Sequence, residues 1–276
     1  MKAFRGEPGI FASAEPEERR AELEVKSLTL RFGGITAVNN VDLSVHTGEL
    51  VAVIGPNGAG KTSLLNCITG YYKPQEGQIL FNGEDITRQR THHLTEIGIG
   101  RTYQNIELFP GMTVLSNMML ARHVHCKYGV GKASIFLKSV REEEVRHRKV
   151  LEELIDFLEM QSIRKELVGS LPYGLRKRVE LGRALSLEPK LLILDEPFAG
   201  MTLEEKEDMV RFLTELNEAW QQTMILVEHD MSVVMSISKQ VVVLDFGVKI
   251  AEGSPEFVQK HPQVIKAYLG DTATID

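Results

Sequence analysis

The run Gly55-Pro56-Asn57-Gly58-Ala59-Gly60-Lys61-Thr62 constrains this chain more than any other stretch. Gly55 and Gly60 bracket four residues and Lys-Thr follows, the pattern of a phosphate-binding loop. Leu50-Val51-Ala52-Val53-Ile54 reads as the buried strand feeding the loop, and Ser63 to Ile68 as the helix leaving it. Glycines let the backbone curl until successive N–H groups point at phosphate oxygens. The positive end of the following helix adds to that field. In such a cradle Lys61 reaches the β- and γ-phosphates, the Thr62 hydroxyl ligates Mg²⁺, and the contacts extend to Ser63. The expected ligands are therefore a nucleoside triphosphate and its Mg²⁺.

At 276 residues and 43% hydrophobic, the chain can bury a sizeable core in one or two domains. A formal charge of −6, from 38 acidic and 32 basic side chains, offers no broad attraction for nucleic acid. The only two cysteines, Cys67 and Cys126, argue against a disulfide framework, and Cys67 reads as a small packed residue. His123, His125 and Cys126 fall close together, but their spacing matches no dependable metal motif. No uninterrupted apolar stretch approaches the roughly 18 residues needed to span a bilayer. Met1 to Arg20 mixes charge, Pro and Gly without the apolar core of a signal peptide. Residues 1–21 are expected to be a flexible tail on a cytoplasmic protein that meets a membrane only through a partner.

Alternation in Leu23-Glu24-Val25, Leu28-Thr29-Leu30 and Val41-Asp42-Leu43-Ser44-Val45 predicts an antiparallel β layer near the start. Gln78 to Phe81 predicts a further strand ending at the turn signal Asn82-Gly83. From about Gly100 to Pro172 the pattern becomes helical, with Val150, Leu151, Leu154, Ile155 and Leu158 on one face. After Gly174 the chain returns to α/β alternation. Leu191 to Leu194, Met224 to Val227 and Val241 to Leu244 are buried strands, and Met209, Phe212, Leu213, Leu216 and Trp220 line a helix. Such alternation implies a largely parallel sheet covered by helices on both faces. The helical stretch, about 100–173, is then an insertion into one domain spanning 22–276, with a helical C-terminal tail from about 254.

Three further groups carry chemistry. Leu191-Leu192-Ile193-Leu194-Asp195-Glu196-Pro197 is an apolar strand ending in two acids. It would deliver Asp195 to Mg²⁺ beside the phosphate loop and Glu196 to an attacking water, as general base. Gln104, in Arg101-Thr102-Tyr103-Gln104-Asn105, falls at the join of sheet and helical insertion, where an amide can contact Mg²⁺ or water. His229 follows another buried strand and can hydrogen-bond a γ-phosphate. By spacing alone, Gln104 and His229 read equally well as surface residues.

The ordered set of phosphate loop, Gln104, Leu171-Pro172-Tyr173-Gly174, Asp195-Glu196 and His229 resembles an ATP-binding cassette (ABC) ATPase over roughly Leu23 to Gly253. The resemblance implies the P-loop NTPase fold of that family: a mostly parallel sheet, an antiparallel β layer and an inserted helical subdomain. It implies ATP and Mg²⁺ as cofactors, and a signature loop at Leu171 to Leu175. In the family this loop faces the γ-phosphate held by an opposite subunit, which makes Tyr173 and Gly174 nucleotide-contacting residues. Phe32 matches the aromatic residue that stacks on adenine. A narrower resemblance, to the G-type ATPase of bacterial branched-chain amino acid importers, rests on four segments. These are Arg31 to Asn40, Pro172-Tyr173-Gly174, Glu228-His229-Asp230-Met231 and Val264-Ile265-Lys266-Ala267-Tyr268-Leu269-Gly270.

That narrower resemblance implies a peripheral subunit on the cytoplasmic face of the plasma membrane. Its partners would be a second ATPase chain, two transmembrane permease subunits and, indirectly, a periplasmic substrate-binding protein. The same engine serves urea and amide importers, lipid or lipopolysaccharide exporters, and soluble non-transport ABC ATPases. The signature loop departs from the common Leu-Ser-Gly-Gly-Gln form: Pro172 replaces serine, Tyr173 a glycine and Leu175 the glutamine. Each change removes polar or close-approach capacity, so the two ATP sites of a dimer are expected to be unequal.

Overall fold

The computed structural model describes residues 21–125 and 138–269. The expected N-terminal tail, except Ala21, lies outside the described residues, as do Cys126 and the last seven positions of the C-terminal tail, 270–276. In chain order the elements begin with β1 (Ala21–Phe32), β2 (Ile35–His46), β3 (Leu50–Ile54) and α1 (Lys61–Ile68). Next come β4 (Glu76–Phe81), β5 (Glu84–Asp85), α2 (Thr91–Glu96) and β6 (Ile99–Arg101). The helical stretch holds α3 (Val114–Ala121), a 3-10 turn at Arg122–His125, α4 (Lys138–Phe157) and α5 (Tyr173–Leu185). The chain then alternates through β7 (Leu191–Asp195), α6 (Leu203–Glu218), β8 (Thr223–Val227), α7 (Met231–Ile237) and β9 (Gln240–Asp245). It closes with β10 (Val248–Gly253), α8 (Pro255–Lys260) and α9 (Pro262–Leu269).

Among the described residues two sheets form, one antiparallel in the order β2-β1-β4-β5 and one mixed in the order β10-β9-β3-β8-β7-β6. In the mixed sheet only β10 runs antiparallel. Its central strands are apolar throughout because both faces are covered. Val51, Val53, Leu191, Ile193, Ile225 and Val227 pack against the antiparallel layer through Leu28, Val41 and Leu43. Leu192, Leu194, Met224 and Leu226 point the other way, onto Val150, Leu154, Phe212 and Leu216 of the helices. Ala52, Ile54, Val241 and Val243 meet Val234, Val258 and Val264 of α7 to α9.

The antiparallel layer, the α4 face through Val150, Leu151, Leu154 and Ile155, and the α6 face occur as the sequence predicts, with Leu158 buried one residue past the end of α4. Trp220 falls just past α6 and packs against Phe157 with the rings tilted by 40° and their centroids 4.4 Å apart. Asn82 and Gly83 form the two-residue turn of the β4–β5 hairpin with φ of 51° and 81°. Two details differ. Gly100 and Arg101 belong to β6, pairing in parallel with Leu192 and Ile193, so the helical stretch begins after them. In Leu28-Thr29-Leu30 the alternation fails, since Thr29 is buried too. Ser27 takes a left-handed φ of 48° and the β1 register shifts there, which turns Thr29 inward; its hydroxyl accepts from the Asn40 N–H.

Candidate functional site

Because β3, β6, β7 and β8 run parallel, their C-terminal ends share one edge of the sheet. The register pairs Val53 with Val227, Val227 with Asp195, and Ile193 with Arg101. The phosphate loop, His229, the Asp195-Glu196 pair and Gln104 therefore leave the sheet on the same side, although they are far apart in sequence. The loop itself has the conformation its glycines permit. At Gly55, φ is 150° and a Cβ would lie 2.1 Å from the Leu244 carbonyl oxygen. At Gly60, φ is 99° and a Cβ would meet the Ala37 carbonyl oxygen at 2.3 Å. Helix α1 opens directly at Lys61 with no side chain capping it and no acid in its first turn, which leaves its N–H groups for an anion.

Lys61 spans the loop, donating from Nζ to the Gly55 carbonyl at 2.7 Å and the Pro56 carbonyl at 3.0 Å. Burial pulls its ammonium below the ordinary lysine range, while the neighbouring carboxylates of Glu196 and Asp195 oppose that shift. Asn57, Gly58 and Thr62 are exposed, Pro56 and Ser63 half-buried, and Ala59 is packed beneath the loop. The C-terminal helix reaches the same place, where the Tyr268 hydroxyl meets the backbone of Gly55.

Asp195 ends β7 fully buried and is engaged by Arg101, whose Nη2 donates to Oδ2 at 2.8 Å. The same guanidinium donates through Nη1 to Asn66 Oδ1 at 2.8 Å and Thr69 Oγ1 at 3.1 Å, and lies over the Tyr103 ring. Sequence reasoning missed Arg101; its signal was a basic residue closing the short apolar run Ile99-Gly100, read as the start of the helical stretch. Glu196 follows in a left-handed conformation, φ 48°, with its N–H donating to the Val227 carbonyl at 2.9 Å. Gln104 Nε2 donates to Glu196 Oε2 at 2.9 Å, so these two predicted residues do come together.

Glu228, also missed, joins the loops after β7 and β8. It is 1% exposed and accepts from the Phe198 N–H at 3.1 Å and the His229 N–H at 3.0 Å. Burial raises its carboxyl above the usual range and these backbone bonds hold it back. His229 keeps its imidazole exposed, with Nδ1 3.7 Å from Glu228 Oε2. Phe32 sits half-exposed at the tip of the β1–β2 hairpin, edge-on to Tyr72 with centroids 4.9 Å apart. Tyr173 and Gly174 open α5 on another flank, with the Tyr173 ring against Gly200 and Gly174 against the Glu205 carboxylate. Among the described residues no group of His, Cys, Asp and Glu is arranged to hold a metal by itself, and no helix is long and apolar enough to cross a membrane.

A family profile described as ABC transporter matches residues 38–199, which include the phosphate loop, Gln104, Asp195 and Glu196. A second, described as branched-chain amino acid ATP-binding cassette transporter, matches residues 248–274. The chain is 41% identical to the high-affinity branched-chain amino acid transport ATP-binding protein BraF of Pseudomonas aeruginosa over 256 residues, covering 91% of this chain and 99% of that one. It is 37% identical to LivG of Escherichia coli, covering 90% and 98%. Among solved structures, a nucleotide-free ATP-binding cassette from an ABC transporter superposes with a TM-score of 0.79 at 31% identity, covering 91% of this chain and all of that one. An unbroken match from the second strand through both acids, joined to a matching C-terminal segment, shows that the chain belongs to the ABC transporter ATPases, in their branched-chain amino acid cassette group.

Proposed function

We propose that this chain is the energy-coupling ATPase of a bacterial branched-chain amino acid importer, acting at the cytoplasmic face of the plasma membrane. The observation that carries the reading is the convergence of the phosphate loop, Asp195 and the Gln104–Glu196 pair on one sheet edge. The substrate class is supported by the names of its relatives and by the C-terminal match. Lys61 and the backbone N–H groups that Gly55 to Ser63 carry, Pro56 excepted, grip the phosphates, and Phe32 stacks on adenine. The Thr62 hydroxyl, the Asp195 carboxylate and the Gln104 amide oxygen are hard oxygen donors of the kind Mg²⁺ takes. Asp195 retains a second carboxylate oxygen beside the one bonded to Arg101, so the set fits the ion. When bound, Mg²⁺ would offset charge on the β- and γ-phosphates.

Glu196 accepts the proton of the water that attacks the γ-phosphorus, and Gln104 orients that carboxylate. His229 hydrogen-bonds the γ-phosphate and registers its departure. Tyr173 and Gly174 are presented to ATP held by a second ATPase chain, and the two chains drive two permease subunits served by a periplasmic binding protein. A cleft of about 230 Å³, lined by Arg101, Tyr103, Leu120 and Arg183 among others, lies where the helical insertion meets the sheet and suits a permease contact.

The test is purification of Glu196→Gln from gently solubilised membranes with ATP present. Two polytopic subunits and a second ATPase are expected to come with it. A soluble homodimer without membrane protein would instead favour a non-transport ABC ATPase.

A further inference from the structure

Lys177 and Glu180 lie one turn apart on α5 with side chains each 2% exposed. Charges at that depth are retained only where partners satisfy them. Their own separation, 3.6 Å, leaves the ammonium donors and the carboxylate oxygens short of partners. The backbone carrying Gln104 completes both. Lys177 Nζ donates to the Gln104 carbonyl at 2.9 Å and approaches the Tyr103 carbonyl at 3.4 Å. Glu180 Oε1 accepts from the Tyr103 N–H at 3.2 Å.

One buried ion pair thus holds three backbone groups of two consecutive residues, Tyr103 and Gln104. Their segment has left the sheet, since the last backbone bond directed to the sheet is from the Thr102 N–H to Ile193. Two apolar side chains of similar size would pack α5 without desolvating charge. What they would not do is hold those backbone groups. The segment so held ends in the Gln104 amide on Glu196.

We propose that Lys177 and Glu180 are positioning residues for hydrolysis. They fix the Gln104 amide on Glu196 and tie that contact to the helix whose first residues, Tyr173 and Gly174, are offered to the opposite nucleotide. A displacement of α5 then displaces Gln104 from Glu196, so each site's carboxylate is set by a helix engaged with the other site. The inference rests on the roles proposed above for Gln104 and Glu196.

The test is a double-mutant cycle in the assembled complex, with Lys177→Met, Gln104→Ala and the pair together. Lys177→Met is expected to lower kcat about ten- to a hundredfold, as misplacement of a reacting group does. KM for ATP should move no more than it does in Gln104→Ala, and the same holds for ATP affinity measured by calorimetry in the Glu196→Gln background. The double variant should be no slower than Gln104→Ala alone, and Lys177→Arg should recover part of the rate. Additive losses, or a Lys177→Met variant with normal kcat beside a slow Gln104→Ala, would overturn the inference and leave the Gln104 assignment standing. A Gln104→Ala variant with normal kcat would instead remove the underlying assignment, and the inference with it. If Lys177→Met does not fold, Glu180→Gln carries the same cycle, since its amide oxygen still accepts from Tyr103 but no longer anchors the ammonium.

Discussion

Asp195 is a carboxylate with almost no access to water, and its standing counter-charge is Arg101, 94 residues away in the chain. Removing one partner of such a pair leaves a buried charge unmatched, which costs about 3–5 kcal/mol. Arg101→Ala is therefore expected to lower stability by about 3 kcal/mol in urea titration, and adding Asp195→Asn should restore part of the loss. Lys61 is a different kind of buried charge, bonded only to carbonyls of its own loop. Lys61→Ala should abolish measurable ATP binding by calorimetry. In the parent protein, ATP at about 100 times its Kd should add about 2.7 kcal/mol of stability, a melting shift that the variant should lack. The cradle was legible in the sequence because its parts are contiguous and Gly55, Gly58 and Gly60 each take a positive φ, a local backbone demand that glycine meets without strain. Arg101 on Asp195, Gln104 on Glu196 and Lys177 on Gln104 were not, because separations of 94, 92 and 73 residues carry no local pattern.

At the scale of elements, legibility followed length. The α4 and α6 faces repeat over several turns, and the buried strands Leu191 to Leu194 and Met224 to Val227 are unbroken apolar runs. Strand β6 has only three residues, one of them glycine and one arginine, so its pairing with β7 rather than its own composition defines it. Helix α7 shows a local device with a pH signature. Asp230 caps it, accepting from the Ser232 N–H at 3.2 Å, and pairs with Lys206 at 2.7 Å. Its bonds to Lys206 and Ser232 bring its carboxyl down to about 2. The folded value lies below the unfolded one, so the carboxylate stabilises the fold above about pH 4 and the contribution is lost as pH falls towards 2. Asp230→Asn keeps the side-chain oxygen that caps and removes the charge. It should cost about 1 kcal/mol at pH 7 and nothing below pH 2, read by denaturation across that range.

At the scale of the whole molecule, the question is what α5 can offer to a second nucleotide. A serine at position 172 would supply a hydroxyl and an N–H, whereas Pro172 supplies neither, and no side chain caps the helix that follows. Tyr173 is 43% exposed with its ring on Gly200, and Glu205, already engaged in capping α6, sets a carboxylate against Gly174. An anion arriving at this helix end meets bare N–H groups but also a bulky ring and a nearby negative charge, so the attraction of the helix terminus is partly cancelled. The phosphate loop on the same chain carries no such impairment, with Lys61, Asp195 and the Gln104–Glu196 pair all in place. On the proposed roles, an assembly with a different second ATPase would hold one site made of this chain's Lys61, Asp195 and Glu196 and the partner's loop, and one site with the roles exchanged. The expected outcome is unequal dependence on the two glutamates. Glu196→Gln should remove most ATP turnover of the complex, by orders of magnitude at its own site. The corresponding change in the partner should remove less, because the site it disables is the one completed by Pro172-Tyr173-Gly174. Steady-state ATPase rates of the two single variants in otherwise intact transporter decide the matter, and equal losses would mean that the altered loop serves ATP as well as the common form does.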